Sequence, residues 1–248
     1  MLLAPPPAPR TRPTVDLPVP VGGGDAGAFT AADLGERFGD LPAWRIRRRP
    51  APGTATAADA ERARAAGFLC ELVDGTLVEK VVSEETGITA ARLIMILGTF
   101  VDEHDLGWVG GPDVFVRLYG GTLERAPDVS YIAAEQRPNG LATVGCSEGA
   151  PFLCVEVFSP SNTLAEVRRK RREYFGNGCR MVIVLFATEA PPGRANTAEV
   201  YLPGDPDTPA RVVRDGDDLA GDPVLPGFSV PLARVLRRGG GRTGGPAA

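Results

Sequence analysis

From Ala57 onward, apolar and polar residues alternate with periods that name the elements. Residues 57–66 are helix formers without Gly or Pro, which predicts a helix. Two strand-like runs follow, 69–73 and 76–81, separated by Asp74-Gly75. Both of those residues tolerate positive φ, so the pair predicts a tight hairpin. Between Gly87 and His104 the residues Ile88, Ala91, Leu93, Ile94, Leu97, Phe100 and Val101 recur three and four positions apart, the signature of a long amphipathic helix. Strand signals then take over at 114–118, 128–132 and 151–158. The last run is apolar almost throughout, as expected of a central strand covered on both faces. Asn162 or Thr163 caps a further helix reaching Phe175, with Thr163 and Glu166 at capping-box spacing and Asn177-Gly178 as the stop. Met181 to Phe186 predicts another buried strand, and 198–202 one at the sheet margin. Helix, hairpin, helix, strands, helix, strand is the order of an α/β (α+β) fold with a mixed central β-sheet flanked by helices.

The two ends read differently. Residues 1 to about 28 are rich in Pro, Gly and Ala, and a short helix follows at 31–38 with Thr30 as its cap. The basic stretch Arg45 to Arg49 stands before a turn at 50–53 and reads either as an arm that touches phosphate or as a solvated linker, the second being the simpler. The expected organisation is therefore a loosely packed arm over 1–56, a folded domain over 57–237 and a flexible Gly-rich tail over 238–248. A net charge of −4 argues against a protein that coats nucleic acid through bulk positive charge. It leaves room for an enzyme whose acidic site is neutralised by bound divalent cations. The four cysteines (Cys70, Cys146, Cys154 and Cys179) form no CxxC pair and His104 is the single histidine, so no zinc site is expected. The cysteines read as reduced thiols of a soluble, cytoplasmic protein. No apolar run approaches the roughly 20 residues of a membrane span.

With one histidine, flanked by Glu103 and Asp105 in a helix, hydrolase chemistry built on histidine has little to draw on, and His104 reads as a surface residue. Walker, GxGxxG and HExxH motifs are absent. Carboxylates and lysines remain. Glu156 interrupts an apolar strand, and a carboxylate is costly to bury unless it is paired or binds a metal. An edge strand with Glu156 facing water, or an ion pair with an arginine, would also account for it. Asp128 follows Pro127 at the head of a strand, with decoys of the same form at Asp113 and Asp207. Two adjacent strands can bring Asp128 and Glu156 together, and oxygen ligands of this kind suit Mg2+. Lys170 lies within the run 168–172, and one helix cannot point five consecutive residues the same way. Tyr174, one turn on, shares the side of Lys170.

Four segments taken in order resemble the Uma-type restriction endonucleases of the PD-(D/E)XK nuclease superfamily: Glu71 to Gly75, Ala126 to Val129, Val155 to Ser161, and Lys170 to Tyr174. Leu225 to Leu232 resembles the family's usual ending, so the likeness spans about Cys70 to Leu236. It implies a restriction-endonuclease-like core and a catalytic set of Asp128, Glu156, Lys170 and Glu71. Asp128 and Glu156 match the two acids, and Glu71 matches an N-terminal acid that completes the metal shell. Phe158 stands where the superfamily's lysine usually does, and Lys170 matches its displaced position on the helix. Relatives commonly end the next strand with an acid, where this chain has Leu185-Phe186. The resemblance further implies Mg2+, with Mn2+ as a substitute, a nucleic-acid partner (DNA) and a homodimer. A nuclease-derived DNA-binding or regulatory protein, and a structural protein whose carboxylates form ion pairs, are the competing classes.

Overall fold

The computed structural model describes residues 27–39, 41–188 and 190–236; the expected tail and the first 26 residues of the expected arm lie outside them. In chain order the helices are α1 (Ala31–Phe38), α2 (Ala57–Ala65), α3 (Glu84–Glu103), α4 (Leu164–Gly176) and α5 (Leu232–Val235). The strands are β1 (Cys70–Val73), β2 (Thr76–Glu79), β3 (Gly107–Gly110), β4 (Val116–Leu118), β5 (Leu123–Arg125), β6 (Val129–Ala133), β7 (Ser147–Glu148), β8 (Leu153–Phe158), β9 (Met181–Phe186), β10 (Thr197–Tyr201), β11 (Arg211–Val213), β12 (Asp218–Ala220) and β13 (Ser229–Pro231).

A six-stranded mixed sheet, ordered β11-β10-β9-β8-β6-β3, forms the centre; β8 and β9 are parallel and every other pair is antiparallel. Parallel neighbours need a crossover, and α4 supplies it between β8 and β9. Side chains alternate along β8. Leu153, Val155 and Val157 pack with Leu93, Leu97 and Val101 of α3, whereas Cys154 and Phe158 pack with Val167 and Tyr174 of α4. Both faces are covered, which is why β8 reads as a continuous apolar run. A second, five-stranded sheet, β2-β1-β5-β4-β7, contributes Val73, Val78, Val116, Leu118 and Leu123 to the α4 side. Helix α4 therefore lies between two sheets, and the few polar residues that point inward there must find partners within the protein.

The hairpin turn forms as its sequence dictates, with Asp74 at φ 47° and Gly75 at φ 65°. Gly75 is needed twice over, since a Cβ there would sit 2.5 Å from the Gly53 carbonyl oxygen. Helix α3 begins three residues before the expected start, because the side chain of Ser83 caps the Thr86 amide. Residues 41–56 are not a solvated linker. Leu41, Arg45 and Ala55 are buried, and the Arg47 amide donates to the Leu77 carbonyl alongside an Ile46–Val78 bridge. Arg45 is drawn in because Glu166, a buried carboxylate, needs a counter-charge. The four cysteines are free, and no helix among the described residues is long and apolar enough to cross a membrane.

Candidate active site

Asp128 is placed by the way the β6–β8 ladder ends. Its amide donates to the Val155 carbonyl at 3.0 Å, and its own Oδ2 accepts from the Val157 amide at 2.8 Å. Pro127 has no N–H to continue the ladder. The carboxylate of Asp128 thus replaces a backbone carbonyl and is held on the strand edge directly beside residue 156. Its other oxygen, Oδ1, accepts from Lys80 Nζ at 3.1 Å.

Glu156 belongs to the even-numbered face of β8, toward α4, and is 5% exposed. It is neither on an edge strand nor paired with an arginine. Oε2 accepts from Lys170 Nζ at 3.0 Å and Oε1 from the Tyr174 hydroxyl at 2.7 Å. Lys170 and Tyr174, four residues apart on one helix, clasp both oxygens from the same side. Burial pushes the Glu156 carboxyl above its usual range, Lys170 opposes this, and the negative charge of Asp128 pushes it further up. A carboxylate whose protonation is favoured by the charge of a neighbouring carboxylate shares a site with it.

The charged run on α4 divides as a helix must. Lys170 points inward, Arg169 reaches Asp74 and Glu173, Arg171 lies over the Tyr201 ring, and Arg172 pairs with Asp207. Burial would lower the Lys170 ammonium, but Glu156, Glu71 and Glu166 together raise it, so it stays charged. Glu71, on β1, is fully buried and closes the network from below. Its Oε2 accepts from Arg125 at 2.8 Å, while Oε1 accepts from the Ala126 amide and ion-pairs with Lys170, each at 3.2 Å. Burial favours its protonated form, yet Lys170, Arg125 and Lys80 outweigh that and hold it well below the usual carboxylate range. Arg125 passes the alternation on to Glu173 at 2.7 Å.

Asp128, Glu156 and Lys170 line one open cleft, together with Lys80, Arg45 and Asn162. Glu71 is not among the lining residues. Phe158 occupies the position two residues after Glu156 and packs against Phe186, ring centres 5.3 Å apart, so a lysine there would have pointed into apolar core. The exposed His104 donates from Nδ1 to the Phe100 carbonyl at 2.8 Å and stacks on the Phe100 ring, away from the cleft residues.

Three contributors escaped the sequence reading. Lys80 and Arg125 were not singled out, and Arg45 stood in a stretch read as a solvated linker, yet all three side chains are buried. For Lys80 a signal existed. Period two along the hairpin places it on the same face as buried Val78.

Among the described residues no group of three or more His, Cys, Asp or Glu side chains converges as a metal cage. Mg2+ does not require one; it typically takes one or two carboxylates and completes its octahedron with water and phosphate oxygens. Asp128 and Glu156 supply two hard oxygen donors at an open cleft, and each of their oxygens carries one protein hydrogen bond with a second lone pair left over. The donor set fits Mg2+.

The sequence profile of the Uma2 family, described as putative restriction endonuclease, matches residues 58–233. Among solved structures, the chain is similar to a putative nuclease belonging to DUF820 from Anabaena variabilis, with a TM-score of 0.59 at 13% identity over 73% of this chain and 97% of that one. At that identity the likeness concerns the fold. No curated protein gives a significant match.

Proposed function

This chain belongs to the Uma2 family of putative restriction endonucleases, and from that premise we propose that its cleft hydrolyses phosphodiester bonds of DNA with Mg2+ held by Asp128 and Glu156. The observation that carries the reading is the convergence of two carboxylates and two ammonium groups on a single open cleft. A bound Mg2+ polarises a phosphate and lowers the pKa of its water. The remaining work falls to the chain. Asp128 is fixed by the Val157 amide, and Glu156 by Tyr174, so both acids keep their places without a ligand. Lys170 sits where it offers positive charge to an attacking hydroxide and a pentacovalent phosphate, as a preorganised cation does.

Glu71 in this reading is a positioning residue rather than a ligand, since both its oxygens are committed to Lys170, Arg125 and the Ala126 amide. The acid that relatives carry on the strand after the helix has no substitute at Leu185-Phe186, both of which are buried in apolar core.

A nucleic-acid partner is supported by charge as well as by family. Arg48 and Arg49 are exposed, make no hydrogen bond or ion pair among the described residues, and follow within four positions of cleft-lining Arg45. Trp44, which precedes Arg45 in the sequence, is exposed as well. Ion pairing alone does not explain the arrangement: Glu71, Arg125 and Glu173 satisfy one another deep inside, whereas Asp128 and Glu156 stand at an opening. Cutting both strands of a duplex calls for two such sites, and a homodimer is the simplest way to bring them together. The test is cleavage of supercoiled and single-stranded DNA by the full chain with Mg2+, with Mn2+ and with chelator. Divalent-dependent cleavage that disappears in Asp128→Ala is expected. No cleavage by the wild type, or equal cleavage by the variant, refutes the enzyme.

A further inference from the structure

The geometry points to Lys80 as a built-in cation that takes the place of a second metal ion, so that the Asp128–Glu156 cleft binds one divalent ion and not two. The inference rests on the reading of this cleft as a Mg2+ site and adds its stoichiometry and the residue that sets it.

Three independent features lead there. The first is the commitment of Lys80. An ammonium has three N–H donors, and those of Lys80 are accounted for by the Asp128 carboxylate at 3.1 Å, the Pro112 carbonyl at 3.4 Å and a short bond to the Ala126 carbonyl. Its side chain is 5% exposed. A charge held this way, with two backbone carbonyls and a carboxylate around it, has the ligand set of a bound cation rather than of a surface lysine reaching for solvent. Lys80 follows immediately on β2, and its own amide donates to the Leu69 carbonyl at 2.8 Å, so its backbone is fixed as well.

The second feature is the supply of ligands. Two ions about 3.5–4 Å apart share a bridging carboxylate and need further acids on either flank. The cleft offers Asp128 and Glu156 as its only acids, and the further oxygens that could flank a second ion, the Pro112 and Ala126 carbonyls, are taken by Lys80. The third acid, Glu71, faces Lys170 and Arg125 and not the opening.

The third feature is charge. Asp128 and Glu156 contribute two negative charges, and Lys80 and Lys170 return two positive ones at 3.1 and 3.0 Å. One divalent ion makes this group dipositive, a charge that a phosphodiester and a hydroxide together cancel. A second would leave two uncompensated positive charges in a half-enclosed site, where desolvation makes excess charge expensive. Lys80 also acts electrostatically on Glu156 and Glu71, so its influence reaches all three acids.

The test counts ions. Mn2+ is titrated into the full-length protein and free Mn2+ is followed by electron paramagnetic resonance, with a thermal melt on each variant to establish folding. The wild type is expected to bind one Mn2+ per chain, and Asp128→Asn to lose it. Lys80→Arg, which keeps the charge, is expected to retain one, and Lys80→Met, which removes it at similar length, to take up a second. Two Mn2+ bound by the wild type and both lost in Asp128→Asn would overturn the role of Lys80 while leaving the metal-site reading intact. So would a folded Lys80→Met that binds a single ion as tightly as the wild type. A wild type that binds none overturns both. If Lys80→Met does not fold, a wild-type count of two still overturns the role of Lys80.

Discussion

Glu71→Gln separates a structural acid from a metal ligand. The substitution preserves volume and one acceptor for the Ala126 amide but removes the charge that Lys170 and Arg125 share at 3.2 and 2.8 Å. Removing one partner of a buried ion pair typically costs about 3–5 kcal/mol, because the survivor is left uncompensated. Here both survivors keep a second carboxylate, Glu156 for Lys170 and Glu173 for Arg125, so the lower end applies, about 3 kcal/mol. For a domain of this size that is a fall in Tm of roughly 6–12 °C. Urea unfolding at pH 7 measures it. The pH dependence carries a sign. Glu71 is held below its ordinary value of 4.5, so beneath that pH the unfolded chain binds a proton that the folded one refuses. Stability contributed by Glu71 is complete above about pH 5 and declines as pH falls. The gap between wild type and Glu71→Gln should narrow over the same interval. A loss under about 1 kcal/mol, the scale of an exposed pair, refutes the buried-network account. Loss of Mn2+ binding with stability unchanged would restore Glu71 as a ligand.

Other consequences follow from single contacts. Tyr174→Phe removes the 2.7 Å bond to Glu156 and should cost about 1.5–3 kcal/mol in urea unfolding, the range for hydrogen bonds to charged groups. Arg45→Met strands the buried Glu166 carboxylate, bonded to it at 2.9 Å through two nitrogens, and should lower stability by about 3 kcal/mol or more; a loss below about 1 kcal/mol would show that residues 41–56 are not part of the cooperative unit. Gly75→Ala combines positive φ with a Cβ 2.5 Å from a backbone oxygen, so a destabilisation above about 1 kcal/mol is expected by thermal melt. Glu166, held below its ordinary value despite burial by Lys170 and Arg45, adds to the acid sensitivity of the fold. Glu166→Gln should flatten the stability profile below about pH 4.5, the ordinary glutamate value.

The central sheet was legible wherever local pattern and tertiary environment agree. Strands β8 and β9 are apolar on both faces because α3 and α4 cover them, and the Asp74-Gly75 turn needs no long-range contact to form. Short strands such as β3, β5 and β7 carry too few residues for a period to show, and they exist because neighbours pair with them. The same division holds at the cleft. Glu156 announced itself as a carboxylate in an apolar strand. Arg125 did not, since a cation beside a glutamate looks identical whether it faces water or buried acids 48 residues or more away in sequence, and Lys80 showed only its place on the Val78 face of the hairpin. Arg45 failed for the further reason that its partner Glu166 lies 121 residues on. Capping-box spacing was a partial guide there: Thr163 caps the Glu166 amide, but the Glu166 carboxylate goes to Arg45.

The central question is whether Asp128 and Glu156 act as one metal-dependent centre. Conversion of supercoiled plasmid to nicked or linear DNA, compared in Mg2+ for wild type and a folded Glu156→Gln, tests it most directly. Cleavage by the wild type that stops with chelator, together with a fall of at least about 100-fold in the variant, on the scale of losing one preorganised charged group, is predicted. Cleavage by Glu156→Gln at the wild-type rate, or cleavage indifferent to chelator, would contradict it.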